Sequence, residues 1–408
     1  MVLSCSTPRK PVSSAKVSPY KKDVNTIHPE FEIFHLSDII SELHFKINSK
    51  ELLYSRTDGI NFSCNVLISY QLLDDESKSV SDTSSFRLVD INNDNADKFL
   101  VGKINFFARK TNNYYLHVTV NDLNRNNSII KIIFIQKDNE INRQNFLVKS
   151  AETDLPLFHN YTKLGEKLRI IYKVRAPSKI YVRYYNRDFP IAAPPFSEFT
   201  LKPFQYREDS LFILELSSDG VIDFAATKKG FYHFQYDSTS HDGFTLYNFS
   251  GNFPDIKKAE DMIPPLRYIT SRAEYNELIA NPNKKAALDK FWLNNTGNHD
   301  RARGLIKKYY GRVQEANNYF SSYIEGWKTD RGMIFLIYGS PNLIYHTDHT
   351  ETWTYGEENN VNSTTYTFVK VNNPFTDNDY ILERSAFYKQ SWFMSVDAWR
   401  QGRAFTQD

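Results

Sequence analysis

Along residues 31–137, apolar and polar positions alternate in short runs separated by polar turns. Residues 43–47, 62–70, 114–120 and 129–135 each carry the period-two pattern of a strand with one buried face. Turn-forming residues separate them at 74–77, 92–95 and 124–127. Strands this short and this regularly spaced predict an antiparallel, immunoglobulin-like β-sandwich. A second block of the same texture follows from Asn145 to Phe253, with strands expected at 167–174, 179–185, 211–216, 221–224 and 230–236. Residues 175–178, Arg-Ala-Pro-Ser, read as a hairpin connection. The proline-rich run 189–196 cannot be a central strand, because proline lacks the ladder donor, and it reads as an edge loop.

After Phe253-Pro254-Asp255 the period changes. Ser271 and Glu274 have capping-box spacing. A further helix is expected to restart at Asn281-Pro282 and run through Trp292. Over residues 301–320, Leu305, Tyr309, Val313, Ala316 and Phe320 fall on one helical face. Strands are expected at 333–338, 351–355, 364–371 and 380–383, and a last amphipathic helix at 391–401. The reading is a multidomain β plus α+β chain: a segment over 1–28, β-sandwiches over 29–140 and 141–254, and an α+β domain over 255–408.

Composition supports this division. Of 408 residues, 30 are Phe and 26 are Tyr, types that favour strands and sandwich interiors. The net charge is +2, and the bases cluster early: Arg9, Lys10, Lys16, Lys21 and Lys22 against Asp23 leave −2 for everything after Val24. That balance gives no nucleic-acid footprint. The basic, Ser/Pro-rich start reads as a disordered linker. Cys64 sits in a strand-like run and reads as a small buried residue. Cys5 closes Val2-Leu3-Ser4-Cys5, which resembles a bacterial lipobox whose cysteine is acylated. No run of 18 apolar residues marks a membrane-spanning helix.

The most distinctive stretch is Gly326-Trp327-Lys328-Thr329-Asp330-Arg331-Gly332, followed by an apolar run and the turn Gly339-Ser340-Pro341-Asn342. Glycines permit close backbone approach, Trp327 fills a gap while offering one N–H, and Arg331 can fork onto a carboxylate. The residues suit a self-satisfied corner leading from a helix into a strand. A catalytic or ligand-holding role for Asp330 and Arg331 is the other reading.

The pentapeptide Gly326 to Asp330 resembles the signature of the GWxTD-domain family of Bacteroidota. So do Phe291-Trp292, the helix through Arg312, Ala316 and Phe320, the turn through Gly339 and Pro341, Trp353 with its neighbours, and Trp399 to Gly402. One departure is Leu293-Asn294-Asn295-Thr296-Gly297, where the family often has an Arg-Asp-Pro run. The resemblance implies β-domains ahead of the signature domain and an exported or lipid-anchored address, and it assigns no reaction. The residues expected to hold the domain together are Gly326, Trp327, Thr329, Asp330, Arg331, Gly332, Gly339, Pro341 and Trp353.

Other chemistry is sparse. His346-Thr347-Asp348-His349 reads as a polar hairpin, with metal binding as the alternative. Asp90-Ile91-Asn92-Asn93-Asp94 begins like a calcium loop, but Asn95 and Val101 occupy the glycine and glutamate positions, which excludes an EF-hand and leaves a looser calcium turn open. There is no Gly-x-Ser-x-Gly, phosphate loop or His-Glu-x-x-His. No metal and no small-molecule cofactor is expected. The expectation is a non-catalytic scaffold or accessory subunit of an outer-membrane complex for secretion, gliding or outer-membrane-protein assembly. It would be held to the membrane through Cys5, on the periplasmic face. The alternative is an enzyme or glycan binder acting on cell-wall or surface polysaccharide.

Overall fold

The computed structural model describes residues 16–20, 27–56, 59–94, 96–173, 179–198, 204–249, 251–347, 349–358, 360 and 363–404. Cys5 and the connection at 175–178 lie outside the described residues. A two-residue strand, β1 (Lys16–Val17), comes first. The chain then divides into two compact units, one of 22–187 with 206–251, the other of 1–21, 188–205 and 252–408.

The first unit contains two sandwiches, and all its strand pairs are antiparallel. In the first sandwich, β2 (Glu30–His35), β3 (Ile40–Asn48) and β7 (Phe99–Phe107) form one sheet. The other sheet holds β4 (Ser55–Arg56), β5 (Phe62–Asp74), β6 (Val80–Ile91), β8 (Tyr114–Asp122) and β9 (Asn127–Ile135). Alternation does the sorting: Cys64, Val66, Ile68, Tyr70 and Leu72 of β5 all point inward, against Leu43, Phe45 and Ile47 of β3. In the second sandwich, β10 (Phe146–Ser150), β11 (Lys167–Tyr172) and β14 (Val221–Ala225) face a sheet in the order β13 (Ser210–Glu215), β12 (Lys179–Tyr185), β15 (Gly230–Gln235), β16 (Phe244–Asn248). Leu168, Ile170, Ile180, Val182, Phe234 and Leu246 form its centre.

The second unit is α+β. Helices α1 (Ala259–Met262), α2 (Arg272–Ala280), α3 (Lys284–Thr296) and α4 (His299–Phe320) precede α5 (Asp330–Tyr338), and α6 (Tyr388–Arg400) closes the unit. The sheet runs β1, β17 (Leu343–His346), β18 (Thr350–Tyr355), β19 (Thr364–Lys370), β20 (Tyr380–Leu382). The Ser271–Glu274 capping box forms in both directions. Pro282 precedes the N-cap Asn283 of α3 rather than lying in its first turn.

Three further expectations change. The run 333–338 is the body of a helix, not a strand. It is apolar on every side because α5 is buried on every side, and a short uniform run carries no period to separate the two. Within the expected linker 1–28, residues 16–20 belong to the α+β unit, where β1 pairs with β17. The proline-rich segment at 188–198 also belongs to that unit rather than to the second sandwich: the Ala192 N–H donates to the Lys328 carbonyl at 2.9 Å and the Ser385 N–H to the Pro195 carbonyl at 3.1 Å.

Two histidines are sealed in the sandwiches. His35 is 1% exposed and bonded to Ser41 Oγ at 2.9 Å and the Gln136 carbonyl at 3.1 Å. His233, also 1% exposed, meets Thr245 Oγ1 at 2.7 Å and the His241 carbonyl at 2.8 Å. Burial pushes His35 down to about 3 and His233 down to about 4, so both fold as neutral rings. The unfolded chain therefore takes up protons below its ordinary histidine value of 6.5 while the folded unit resists them. Stability should be complete above pH 6.5 and fall as the pH drops toward 4, by up to about 2 kcal/mol per histidine at pH 5. Urea midpoints of this unit at pH 7 and pH 5 measure it; equal midpoints would contradict the sealed rings.

Candidate functional site

The signature lies at the entrance to α5. A 3-10 turn, Gly326–Lys328, leads into Thr329, the N-cap of α5, whose hydroxyl accepts from Gly332 N–H at 3.0 Å and donates to the Gly326 carbonyl at 2.8 Å. Both glycines are required by contact rather than by torsion. A Cβ on Gly326 would lie 1.9 Å from the Ala316 carbonyl oxygen, and one on Gly332 would lie 1.8 Å from that of Gly326. Trp327 is buried; its backbone N–H donates to Asn317 Oδ1 at 3.3 Å and its backbone carbonyl accepts from the Tyr268 hydroxyl at 3.2 Å. Lys328 lies over the indole and pairs with Glu325 at 2.9 Å.

Asp330 and Arg331 are both buried and turn to different partners. Asp330 takes a two-pronged grip from Arg384, at 2.5 Å to Oδ1 and 3.1 Å to Oδ2, plus the Leu382 N–H at 2.8 Å. Burial pushes this carboxyl up, and Arg384 pulls it back. Arg331 reaches Glu351 Oε2 at 3.0 Å and the Asn378 carbonyl at 3.0 Å, with Tyr380 and Phe320 rings 4.1 and 5.1 Å from its guanidinium carbon. Glu351, 2% exposed, also accepts Trp353 Nε1–H at 2.5 Å and the Tyr20 hydroxyl at 2.9 Å on Oε1. Each acid is thus enclosed by donors, Trp353 from the strand of Glu351 itself and the others from distant elements.

The other end of α5 is finished the same way. Arg312 of α4 donates to the Leu336 and Ile337 carbonyls at 3.0 and 2.9 Å, and Trp399 Nε1–H to Ile337 at 3.0 Å. Burial lowers Arg312 to about 10, so it stays charged near neutrality. Gly339 has φ +86, and a Cβ there would lie 2.6 Å from Arg312 Nη2, so this position takes glycine for both reasons. Its carbonyl accepts from the Tyr355 hydroxyl at 2.7 Å. Pro341 is buried just beyond, ahead of β17.

The remaining candidates lie elsewhere. His346 ends β17, exposed, with Nδ1 3.8 Å from Glu351 Oε2, and His349 is exposed on the β17–β18 connection; Asp348 is outside the described residues. Asp90 pairs with Lys98 at 2.8 Å and accepts the Tyr54 hydroxyl at 2.8 Å. Among the described residues, no three His, Cys, Asp or Glu side chains gather as for a metal ion. Where the family's Arg-Asp-Pro run would fall, α3 simply continues and ends at Gly297, φ +63. Sequence reasoning missed Arg384, Glu351 and Tyr20 as partners. The only signal was that Asp330 and Arg331, if buried, must each find an opposite charge.

This is an α+β domain organised around a buried helix, carried on a chain with two β-sandwiches. The model of the GWxTD domain matches residues 230–401, starting in β15, so the resemblance of the motifs holds and the chain carries a GWxTD domain over those residues. No curated protein matches it.

Losing one partner of a buried pair strands the other charge, so Arg384→Met should cost about 3–5 kcal/mol. Trp327→Ala should cost a similar amount through the cavity it opens, about 3–5 kcal/mol. Asp330→Leu combined with Arg384→Met should recover part of the first loss. Denaturant unfolding of the three variants measures this; single losses under about 1 kcal/mol, the range of exposed pairs, would contradict the buried assignment.

Proposed function

We propose that this chain is a lipid-anchored envelope protein acting as a non-catalytic accessory subunit of an outer-membrane assembly, in which the sandwich edges are the docking surfaces. The observation that carries this reading is strand β9. Ile130, Ile132 and Phe134 alternate on its outward side at 61%, 52% and 42% exposure, and among the described residues β9 pairs with β8 alone. An apolar edge strand is a pairing hazard unless something covers it; at the end of β9 the Gln144 Nε2–H meets the Phe134 carbonyl at 2.7 Å. Edge strand β13 adds Leu211 and Ile213, also exposed.

Two further points support the reading. Asp330, Arg331 and Glu351, the charged groups brought together at the signature, are taken up by one another and by neighbouring donors inside the core. Val2-Leu3-Ser4-Cys5 resembles the pattern for acylation, and an envelope address is what the resemblance to the GWxTD family implies. Secretion, gliding and outer-membrane-protein assembly complexes are the candidate partners, and the periplasmic face is the proposed side.

Solubilisation in gentle detergent followed by affinity capture and mass spectrometry tests the proposal. Defined envelope proteins should co-purify in fixed ratio and be lost with Ile132→Lys, whose own melting temperature stays within about 2 °C because the position is exposed. Recovery of the protein alone would overturn the reading. Cys5→Ser should move the protein out of the membrane fraction and abolish incorporation of labelled fatty acid; unchanged fractionation would remove the anchor.

A further inference from the structure

The segment Lys16 to Tyr20 is seated in the α+β unit as a ligand is seated in a receptor. Its strand β1 extends the sheet antiparallel to β17, with Lys16 opposite Ile344 and Val17 opposite Leu343. Ser18 Oγ meets Ser340 Oγ at 2.9 Å. Three residues past the last paired position, the Tyr20 ring lies among Phe320, Tyr319, Trp353 and Phe335, with centroids at 4.9, 5.1, 5.6 and 6.4 Å. Its hydroxyl donates to Glu351 Oε1 at 2.9 Å. Main-chain pairing supplies register and a side-chain socket supplies selectivity, which is how added strands are recognised.

The socket is built from elements other than the segment it holds. Its rings come from α4, α5 and β18, and Glu351 keeps Arg331 and Trp353 as donors when Tyr20 is absent. The occupant, by contrast, is a short piece from a basic, Ser/Pro-rich stretch with no apolar period of its own. A phenol is selected over a benzyl ring because a buried carboxylate receives it. Burial and the nearby Glu351 push the Tyr20 phenol well above its ordinary value, so it stays a donor across the neutral range.

We propose that the GWxTD unit carries a peptide-binding groove, keyed by a tyrosine hydroxyl on Glu351, whose resident ligand is the chain's own residues 16–20, and that the groove accepts the same segment of a second copy when its own is withdrawn. The groove is distinct from the sandwich edges and stands whether or not they dock a partner.

The test uses the full chain and a fluorescein-labelled peptide of residues 14–22 read by anisotropy. Tyr20→Ala, which empties the socket, should bind the peptide at least about ten-fold more tightly than the unaltered chain. A peptide with phenylalanine at position 20 should bind about ten-fold more weakly, the worth of one hydrogen bond to a charged acceptor. A second arm places Ser18→Cys and Ser340→Cys in a Cys5→Ser background. Hydroxyls in contact lie within disulfide reach, so oxidation locks the segment in place. The oxidised chain should bind no peptide, and binding should appear on reduction. Peptide binding that is equal in the locked and reduced chains, or absent from both the reduced chain and Tyr20→Ala, would overturn the proposal; should Tyr20→Ala fail to fold, the lock decides alone.

Discussion

Helix α5 has no solvent face: all nine of its residues are buried. An amphipathic helix leaves part of its backbone and both its ends within reach of water. A helix enclosed on all sides must instead find a protein partner for each free amide and carbonyl at its ends. Much of the α+β unit follows from that requirement. Thr329 serves the first turn, Asp330 places a negative charge at the positive end of the helix dipole, and Arg312 with Trp399 serves the last carbonyls. These partners come from α4 and α6, so satisfying the helix also fixes the elements around it.

The same requirement explains why the charged residues of the signature are where they are. Two ion pairs, Asp330 with Arg384 and Arg331 with Glu351, leave adjacent residues in different directions and tie α5 to the region of β20 and to β18. Charges so deep are worth keeping only when hydrogen bonds complete them, and Leu382, Asn378, Trp353 and Tyr20 do so. A group held this completely is a poor general acid or base, since its lone pairs and protons are already committed. The motif's charged groups are spent on holding the unit together, and the proposed docking roles fall to the apolar strand edges and to the groove that holds Tyr20.

What could be read in the sequence follows the reach of each signal. The sandwich strands were legible because one face is buried and the other wet, so alternation survives in the order of residues: 62–70 lies within β5, 114–120 within β8 and 129–135 within β9. The amphipathic helix α4 was legible for the same reason, with Leu305, Tyr309, Val313 and Phe320 on one side. Helix α5 was not, because a segment buried all round has no polar face to set its period. The signature could be located from its residue types, but its partners could not. Arg384 lies 54 positions from Asp330 and Tyr20 lies 331 positions from Glu351, and no local pattern carries such pairings. The proline-rich stretch misled in another way: its composition correctly excluded a strand, but which unit it would join is decided by the Lys328 carbonyl and Ser385 N–H that it meets.

Native-state hydrogen exchange of the α5 amides tests most directly whether this buried helix is the centre on which the unit depends. The expected result is that amides 333–338 exchange more slowly than any others of the α+β unit and only through its global unfolding, with an exchange free energy equal to the denaturant unfolding value. Exchange of those amides through a local opening, faster than that of the β18 and β19 amides, would contradict it.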